Sequence, residues 1–248
     1  MRAGIEKLIT RMIAIIFAVV AVLAVWDLVP ILTVLLLSVV IAVSDKPPVD
    51  AAPWSAGGQF NRKIAYDTLV YEGQTYRTVK IGNLTWTAEN LNFETGNSVC
   101  YAAADSNCTK YGRLYDWETA LRACPAGWRL PGSDDWDNLV LAAGGRIDYD
   151  CEWDYGGTRL QSKTGWKKHY SGIRNATDDF GFSAVPGGFR DFLNYWEIGE
   201  RAFWWSATKP DYDTGSVWAL AISDGSQCVS RYDLRVHLTM LSLRCVKE

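Results

Sequence analysis

Residues Tyr111–Pro131 read YGRLYDWETALRACPAGWRLP. Two later blocks are similarly rich in residues that constrain a backbone or fill a core: GFSAVPGGFRD at Gly181–Asp191 and SLRCV at Ser242–Val246. Three spaced blocks that combine glycine, aromatic residues, proline and cysteine hardly arise by chance. They therefore indicate one folded frame.

From about Tyr76 to the C-terminus, the three blocks together resemble the Fibrobacter succinogenes major paralogous (FISUMP) domain. That family is similar to the C-type-lectin-like and formylglycine-generating-enzyme folds. The resemblance implies an α+β fold with two helices and short antiparallel strands, which we assign to residues 59–248. It also implies a frame whose surface loops vary and bind ligands. In some proteins of this wider fold the C-terminal surface is diversified, and here that face would be Asn194–Arg235.

An apolar run precedes this domain at residues 12–43. Four residues interrupt it: Asp27, Pro30, Thr33 and Ser38. As a helix it would span about 48 Å, which exceeds the roughly 30 Å hydrocarbon core of a bilayer. The run therefore predicts a tilted transmembrane or signal-anchor helix, followed by a linker at residues 44–58 that contains two adjacent prolines.

Basic residues predict the orientation of this segment. Arg2, Lys7 and Arg11 precede the apolar run, and the positive-inside rule places residues 1–11 in the cytoplasm and the C-terminal domain outside the cell. Three alternatives remain open: a signal peptide cut after Ala24, a hairpin of two short helices, and a long helix that packs against copies of itself as in a fibre.

All six cysteines lie beyond the apolar run: Cys100, Cys108, Cys124, Cys151, Cys228 and Cys245. An even number on an exported domain predicts disulfides. The resemblance assigns Cys124 and Cys245 to the long-range disulfide of C-type-lectin-like domains, which would stabilise the fold by roughly 4–5 kcal/mol. Cys100 and Cys108 are close in sequence and would clip one loop, which leaves Cys151 and Cys228 to pair.

Several function classes are disfavoured by the sequence. The formal net charge of −3 argues against a nucleic-acid-binding protein. A zinc site is unsupported because there is no C-x-x-C spacing and the histidines number two, His169 and His237. Metalloprotease, hydrolase and phosphate-loop motifs are absent. The formylglycine-generating relatives need reduced cysteines, whereas Cys124 and Cys245 are assigned to a disulfide, so we expect a non-catalytic domain without a cofactor.

Sequence patterns predict several elements of the domain. A hairpin or short meander is expected over residues 69–88, a helix over Leu114–Ala123, and a second helix that Ser133 caps and Gly144-Gly145 ends. Four short strands are expected: Phe203–Thr208, Val217–Ser223, Cys228–Tyr232 and Leu241–Val246.

Some residues in or near the motif blocks are expected to have structural roles. We expect Trp128, Leu130 and Trp136 to fill the core between helices and sheet. Arg190 follows the Pro186–Gly188 turn and is expected to pair with a buried carboxylate that holds the loop.

Exposed aromatic residues are the leading functional candidates. The chain has 12 Trp residues, more than one core of this size is expected to hide. Six aromatic residues cluster in the C-terminal third: Trp196, Trp204, Trp205, Tyr212, Trp218 and Tyr232. Aromatic faces stack on sugar rings and anchor protein interfaces, although such residues also fill cores. Because Trp204 and Trp205 are adjacent, one is expected in the core and the other facing a groove or solvent.

Calcium is the one metal that the sequence leaves open. Asp211 and Asp213 offer two carboxylates two residues apart, but the remaining ligands of a calcium loop are missing. The sugar-binding calcium motifs of lectin-like domains are also absent, so a solvated acidic turn is the favoured interpretation.

The sequence thus predicts a membrane-anchored cell-surface domain that binds a polysaccharide or a protein without catalysis. The alternative is a structural subunit of a surface filament or complex, assembled by self-association of the apolar helix. Assembly state distinguishes the two, because a filament subunit would be isolated as a polymer.

Overall fold

The domain begins with an antiparallel meander. A computed structural model of the chain describes residues 63–145, 156–167, 176–212, 215–224 and 227–248. Strands β1 (Tyr66–Tyr71), β2 (Gln74–Ile81) and β3 (Leu84–Thr87) pair in order, so the meander expected over residues 69–88 is confirmed. The last strand, β12 (Val246–Lys247), pairs with β3 and places the C-terminal block in this first sheet.

Short helices and strands connect the meander to the second half of the domain. They are β4 (Ser98–Val99), a 3-10 turn (Tyr101–Ala103), α1 (Asp105–Tyr111), β5 (Leu114–Tyr115), α2 (Trp117–Ala120), α3 (Ser133–Ala142) and α4 (Gly156–Leu160). Two helices were expected, and the described residues contain four. None of these helices is long and apolar enough to cross a membrane. The expected cytoplasmic segment, anchor and linker at residues 1–58 lie outside the described residues.

The expected helix over Leu114–Ala123 is wrong at both ends, because the observed helix covers only Trp117–Ala120. Leu114 and Tyr115 form β5, which pairs with β4. The helix begins only at Trp117, because the Asp116 carboxylate accepts a hydrogen bond from the Thr119 N–H at 2.7 Å and fixes the N-cap there.

The start of α3 also differs from the expectation, although its end does not. Gly132 rather than Ser133 is the N-cap residue, and the Asp135 carboxylate accepts the Gly132 N–H at 2.7 Å. Asp135 thus supplies the cap that Ser133 was expected to provide. The helix ends at Ala142, just before Gly144-Gly145, as predicted.

The C-terminal part of the domain consists of antiparallel strands. They are β6 (Phe189–Asp191), β7 (Asn194–Trp196), β8 (Arg201–Trp205), β9 (Ser216–Ser223), β10 (Val229–Arg235) and β11 (Thr239–Met240). One sheet has the order β10-β9-β8 and another β11-β6-β7. Helices and antiparallel sheets together give the α+β class. The strand expected over Leu241–Val246 is mostly wrong, because its backbone bridges separately to Tyr115 and Trp204 before β12 begins.

The sheet β8–β10 carries core on both of its faces. Trp204 packs with Leu220 in one apolar cluster, which also holds Trp136. Trp205 packs with Ala219 in a second cluster on the other face. Since both faces are covered, the central strands of this sheet present little side-chain surface to a ligand. Leu130 belongs to the second cluster and Trp128 packs against it partly exposed, so the expected core roles of the first motif block are confirmed.

Disulfide bonds link several of these segments covalently. Cys124 is bonded to Cys245 and Cys100 to Cys108, which confirms both expected pairs. Cys228 is also disulfide-bonded, and its expected partner, Cys151, lies outside the described residues.

Arg244 is the centre of a buried polar junction where the motif blocks meet. Its side chain is fully buried, at 0% exposure. Nη1 donates to the carbonyls of Thr87 at 2.7 Å and Phe182 at 2.8 Å, and Nη2 donates to the Ser183 carbonyl at 3.0 Å. Nε donates to Asn90 Oδ1 at 2.7 Å, and the guanidinium lies 4.5 Å from the Phe182 ring centroid.

Asn90 extends this junction to the first motif block. Its Oδ1 also accepts the Trp204 indole N–H at 2.8 Å, and its Nδ2 donates to the Tyr111 carbonyl at 2.8 Å. Burial lowers the pKa of the Arg244 guanidinium to about 9, so the group stays protonated at neutral pH. No described carboxylate forms an ion pair with it, so oriented carbonyl dipoles stabilise the charge directly, and Glu89 and Asp178 favour it from a greater distance.

Removing the long-range disulfide should destabilise the domain more than removing the short one. Replacing Cys124 and Cys245 with alanine should lower the free energy of unfolding by about 5 kcal/mol, since the bond closes a separation of 121 residues. Replacing Cys100 and Cys108, separated by 8 residues, should cost about 2.5 kcal/mol. Urea unfolding of the purified chain measures both, and equal losses would contradict the long-range role.

Arg244→Lys should destabilise the domain by about 3 kcal/mol or more, because an ammonium cannot reach all four acceptors and leaves buried carbonyls without donors. The matched control is Arg129→Lys, where an exposed arginine pairs with Asp135 and the expected loss is below about 1 kcal/mol. Thermal unfolding compares the two, and similar stability of both variants would refute the importance of the junction.

Candidate ligand-binding cleft

The β6–β7 hairpin projects an apolar tip from the domain. Its two turn residues, Phe192 and Leu193, are 61% and 79% exposed. Phe192 has a φ of 51°, a left-handed conformation that non-glycine residues adopt rarely and that is often retained at functional sites. The Phe192 N–H donates to the Leu238 carbonyl at 2.8 Å, so the tip is fastened to the segment before β11.

A cleft of about 460 Å³ lies beside this hairpin. One wall comes from the hairpin itself, with Arg190, Phe192 and Leu193. The segment 236–240, which includes His237, forms a second wall, and residues from the β4 and α2 regions, among them Asn97 and Asp116, form the third. The lining therefore mixes exposed apolar side chains with amide, imidazole, carboxylate and guanidinium groups.

Arg190 does not have the carboxylate partner that the sequence predicted. Its Nη1 donates to the Met240 sulfur at 3.0 Å, and its guanidinium lies 5.9 Å from the Tyr195 ring centroid. Its Nε is buried and has no hydrogen-bond acceptor. The prediction is wrong because the neighbours on both sides of β6 are Tyr195 and Met240, neither of which carries a charge.

Asp116 is the acidic group of this cleft, and part of its bonding capacity is already used. One of its oxygens accepts the Thr119 N–H of helix α2. No described Lys, Arg or His side chain forms an ion pair with Asp116. The cleft thus holds a cation on one wall and a partly engaged carboxylate on another.

A second cleft of about 290 Å³ lies above Asn90. Two of its charged residues, Arg77 and Glu89, form an ion pair with each other. The third, Lys110, lies over the Tyr111 ring, and Asn90 uses its amide within the buried junction. The polar groups facing this cleft are therefore largely engaged by the fold, which makes it the weaker candidate.

Asp178 and Asp179, which precede β6, are both engaged by neighbouring residues. The Ser183 N–H and hydroxyl both donate to the Asp178 carboxylate, at 2.8 and 2.7 Å, while Asp179 forms an ion pair with Arg159. Burial raises the pKa of Asp178 above its ordinary value, and the Ser183 bonds oppose that rise. Both carboxylates stabilise the loop that precedes β6.

Comparison with known proteins gives one family. The model of the Fibrobacter succinogenes major domain matches residues 79–247, about two-thirds of the chain. The chain belongs to this family. No curated protein and no solved structure matches it. The match contains all three motif blocks, and therefore both the Arg244 junction and most of the hairpin cleft of this Fibrobacter major domain.

Trp204 and Trp205 are not ligand-facing residues of the Fibrobacter major domain. Both side chains are 0% exposed, so the expectation that one of them faces a groove or solvent is wrong. Their indole N–H groups are also used internally, by Asn90 Oδ1 at 2.8 Å and by the Tyr115 carbonyl at 2.7 Å. The expectation failed because segments distant in sequence cover the second face of β8.

The other four aromatic candidates do not form one site. Tyr212 and Trp218 contact each other edge to face, with centroids 6.1 Å apart. Tyr232 points to the opposite side of β10, where it packs 6.0 Å from Phe203. Trp196 is half exposed on β7, opposite Phe189 and on the other face of the hairpin from Arg190. None of the four lines the hairpin cleft.

Only one of the two residues of the weak calcium candidate lies in the described part of the chain. Asp211 is exposed, and Asp213 lies outside the described residues. Within the described ranges there is no group of three or more His, Cys, Asp or Glu residues that could hold a metal ion.

Sequence reasoning missed most of the cleft residues. Phe192, Leu193 and His237 were not singled out, and Arg190 was given a structural role. The signal available in the sequence was the segment GGFRDFLNYW. In it, two apolar residues separate two short runs that mix polar and aromatic residues. That order is typical of a hairpin with an exposed tip.

Replacing the adjacent tryptophans singly should give two folding defects. Trp204→Phe and Trp205→Phe should each lower the free energy of unfolding by about 1–3 kcal/mol, because each removes an internal hydrogen bond and part of a fully buried ring. Trp196→Phe, at a half-exposed position, is the control and should change stability by less than about 0.5 kcal/mol. Urea unfolding provides the measurement, and an unaffected Trp205→Phe variant would disagree with its observed burial.

Proposed function

We propose that this domain is a non-catalytic binding module of the cell surface and that it takes a polysaccharide in the hairpin cleft. The observation that carries the proposal is the cleft lining. Phe192 and Leu193 offer exposed apolar surface, while Arg190, Asn97 and His237 offer polar groups beside it. Sugar rings present C–H faces and hydroxyl groups together, so they suit a surface of this mixed character.

A C-type-lectin-like frame is part of the proposal. The Cys124–Cys245 disulfide and the combination of short helices with antiparallel strands support it. Such a frame holds its loops on a stapled core, which suits binding by loops and hairpin tips rather than by the sheet faces. Five cysteines of this domain are disulfide-bonded: Cys100, Cys108, Cys124, Cys228 and Cys245. Oxidase chemistry of the formylglycine-generating type needs reduced thiols, so these disulfides argue against it.

We further propose that the domain lies outside the cell and is anchored by residues 12–43. The apolar run, the preceding basic residues and the disulfides support this placement. Protease added to intact cells should cleave the domain, and protection of the domain until the cells are lysed would contradict an external location.

The test of the binding function is a glycan array probed with the full chain in detergent, with and without a calcium chelator. Binding is expected to persist in chelator. Phe192→Asn, which keeps a residue that tolerates a left-handed φ, combined with Leu193→Ser, should weaken glycan binding by about tenfold. Tyr212→Ser, at an exposed aromatic residue away from the cleft, should leave binding unchanged.

Two results of this experiment would count against the proposal. Failure to bind any glycan would favour a protein partner or a structural role. Equal loss in the tip variant and in Tyr212→Ser would mean that the cleft is not the binding surface.

A further inference from the structure

Partly buried arginines in the described chain generally have a carboxylate partner. Five arginines are of this kind: Arg113, Arg159, Arg190, Arg201 and Arg231. Four of them lie 2.7 to 3.9 Å from a carboxylate oxygen. In the same described ranges Arg190 has no such oxygen, and it is the one of the five that lines the hairpin cleft.

The position of Arg190 is fixed although its charge is not balanced. Its strand pairs with Tyr195 on one side and Met240 on the other. Its hydrogen bond goes to the Met240 sulfur, which is a weak acceptor. No oxygen atom of the described residues accepts a hydrogen bond from this guanidinium, an arrangement that costs free energy in the absence of a ligand.

Neighbouring carboxylates do not supply the missing partner. Asp191 follows Arg190 on β6, so its side chain points to the other face of the strand. Asp116, on another wall of the cleft, accepts the Thr119 N–H, and it is not among the carboxylates that form ion pairs with described arginines. His237 is exposed on the adjoining wall and adds a polar group rather than a negative charge.

We propose that the hairpin cleft selects polysaccharides that carry carboxylates, and that Arg190 binds the carboxylate. This inference rests on the proposed binding function. A guanidinium matches a carboxylate with two parallel N–H···O bonds. The apolar surface of Phe192 and Leu193 then contacts the ring that bears the acid, and the volume of about 460 Å³ is in the range of small-ligand sites.

A polyuronate fits these walls better than an acidic peptide does. An aspartate or glutamate side chain would use Arg190 but leave the exposed tip of the hairpin without a partner. A uronic acid ring presents its carboxylate, its hydroxyl groups and an apolar face within one unit, so it satisfies Arg190, Asn97 and Phe192 together.

The test compares acidic polysaccharides with their neutral counterparts. The full chain in detergent is titrated calorimetrically with polygalacturonate, alginate and hyaluronan, each beside its carboxyl-reduced form, and with poly-glutamate. We expect at least one polyuronate to bind about tenfold or more tightly than its reduced form. Arg190→Gln should abolish that preference while weaker binding of the neutral form persists.

Two further variants keep the result interpretable. Arg190→Lys retains the positive charge but cannot form two parallel hydrogen bonds to a carboxylate. It should show an intermediate preference for the acidic polysaccharide over its reduced form. Arg201→Gln removes a partly buried arginine that pairs with Glu197 outside the cleft, and it should leave the preference unchanged. Unfolding curves of all variants show whether the domain is intact.

Each remaining outcome is decisive. Equal affinity for acidic and reduced polymers, or a preference that survives Arg190→Gln, would overturn the carboxylate inference and leave the binding function standing. Tighter binding of poly-glutamate than of every polysaccharide would reassign the cleft to an acidic peptide. Absence of binding to all the polysaccharides, neutral and acidic, would overturn the proposed function itself.

Discussion

The fold depends on a buried positive charge that forms no ion pair with any carboxylate of the described chain. Arg244 draws together the carbonyls of Thr87, Phe182 and Ser183 and the amide of Asn90. These acceptors lie in the meander and in the second motif block. An apolar residue could fill the same volume, but it could not fix the directions of four acceptors at once. The junction thus specifies how distant segments meet, which is the best-supported use of a buried polar group.

The location of the aromatic residues follows from this frame. Asn90 takes the indole N–H of Trp204 as well as the Arg244 guanidinium, which holds Trp204 inside the first apolar cluster. Trp205, the next residue, enters the second cluster because the segment that contains Tyr115 covers the other face of β8. A sheet that is covered on both faces cannot serve as a broad binding platform. Ligand contact is consequently left to hairpin tips and loops at its margin.

Much of the frame could be predicted from the sequence, because its signals are local or carried by motifs. The end of α3 before Gly144-Gly145, the strands β8 to β10 and the Cys124–Cys245 bond are of this kind. Predictions failed where the deciding partner is remote. Leu114 and Tyr115 form a strand because Ser98 and Val99 lie beside them.

The same limit applies to the candidate site. The sequence pattern of an aromatic residue on a strand is the same whether that face of the sheet is covered by other segments or open to solvent. The sequence therefore could not distinguish the buried Trp205 from a ligand-facing residue. Nor could it show that Arg190 lacks a carboxylate, since that depends on which strands flank β6. What the sequence did indicate was the Gly-rich turn and the Arg190–Asp191 pair after it, and Arg190 of this pair lines the cleft.

The two arginines show how one fold separates structure from binding. Arg244 is fully buried and makes four hydrogen bonds within the chain, so it is not accessible to a ligand. Arg190 is fixed by its strand neighbours yet meets a thioether where an oxygen would be expected. A chain that pairs its other partly buried described arginines with carboxylates has the means to satisfy this one as well. Because a partner would close the cleft to anions, the absence of a carboxylate beside Arg190 is best understood as the condition that keeps the site open to one.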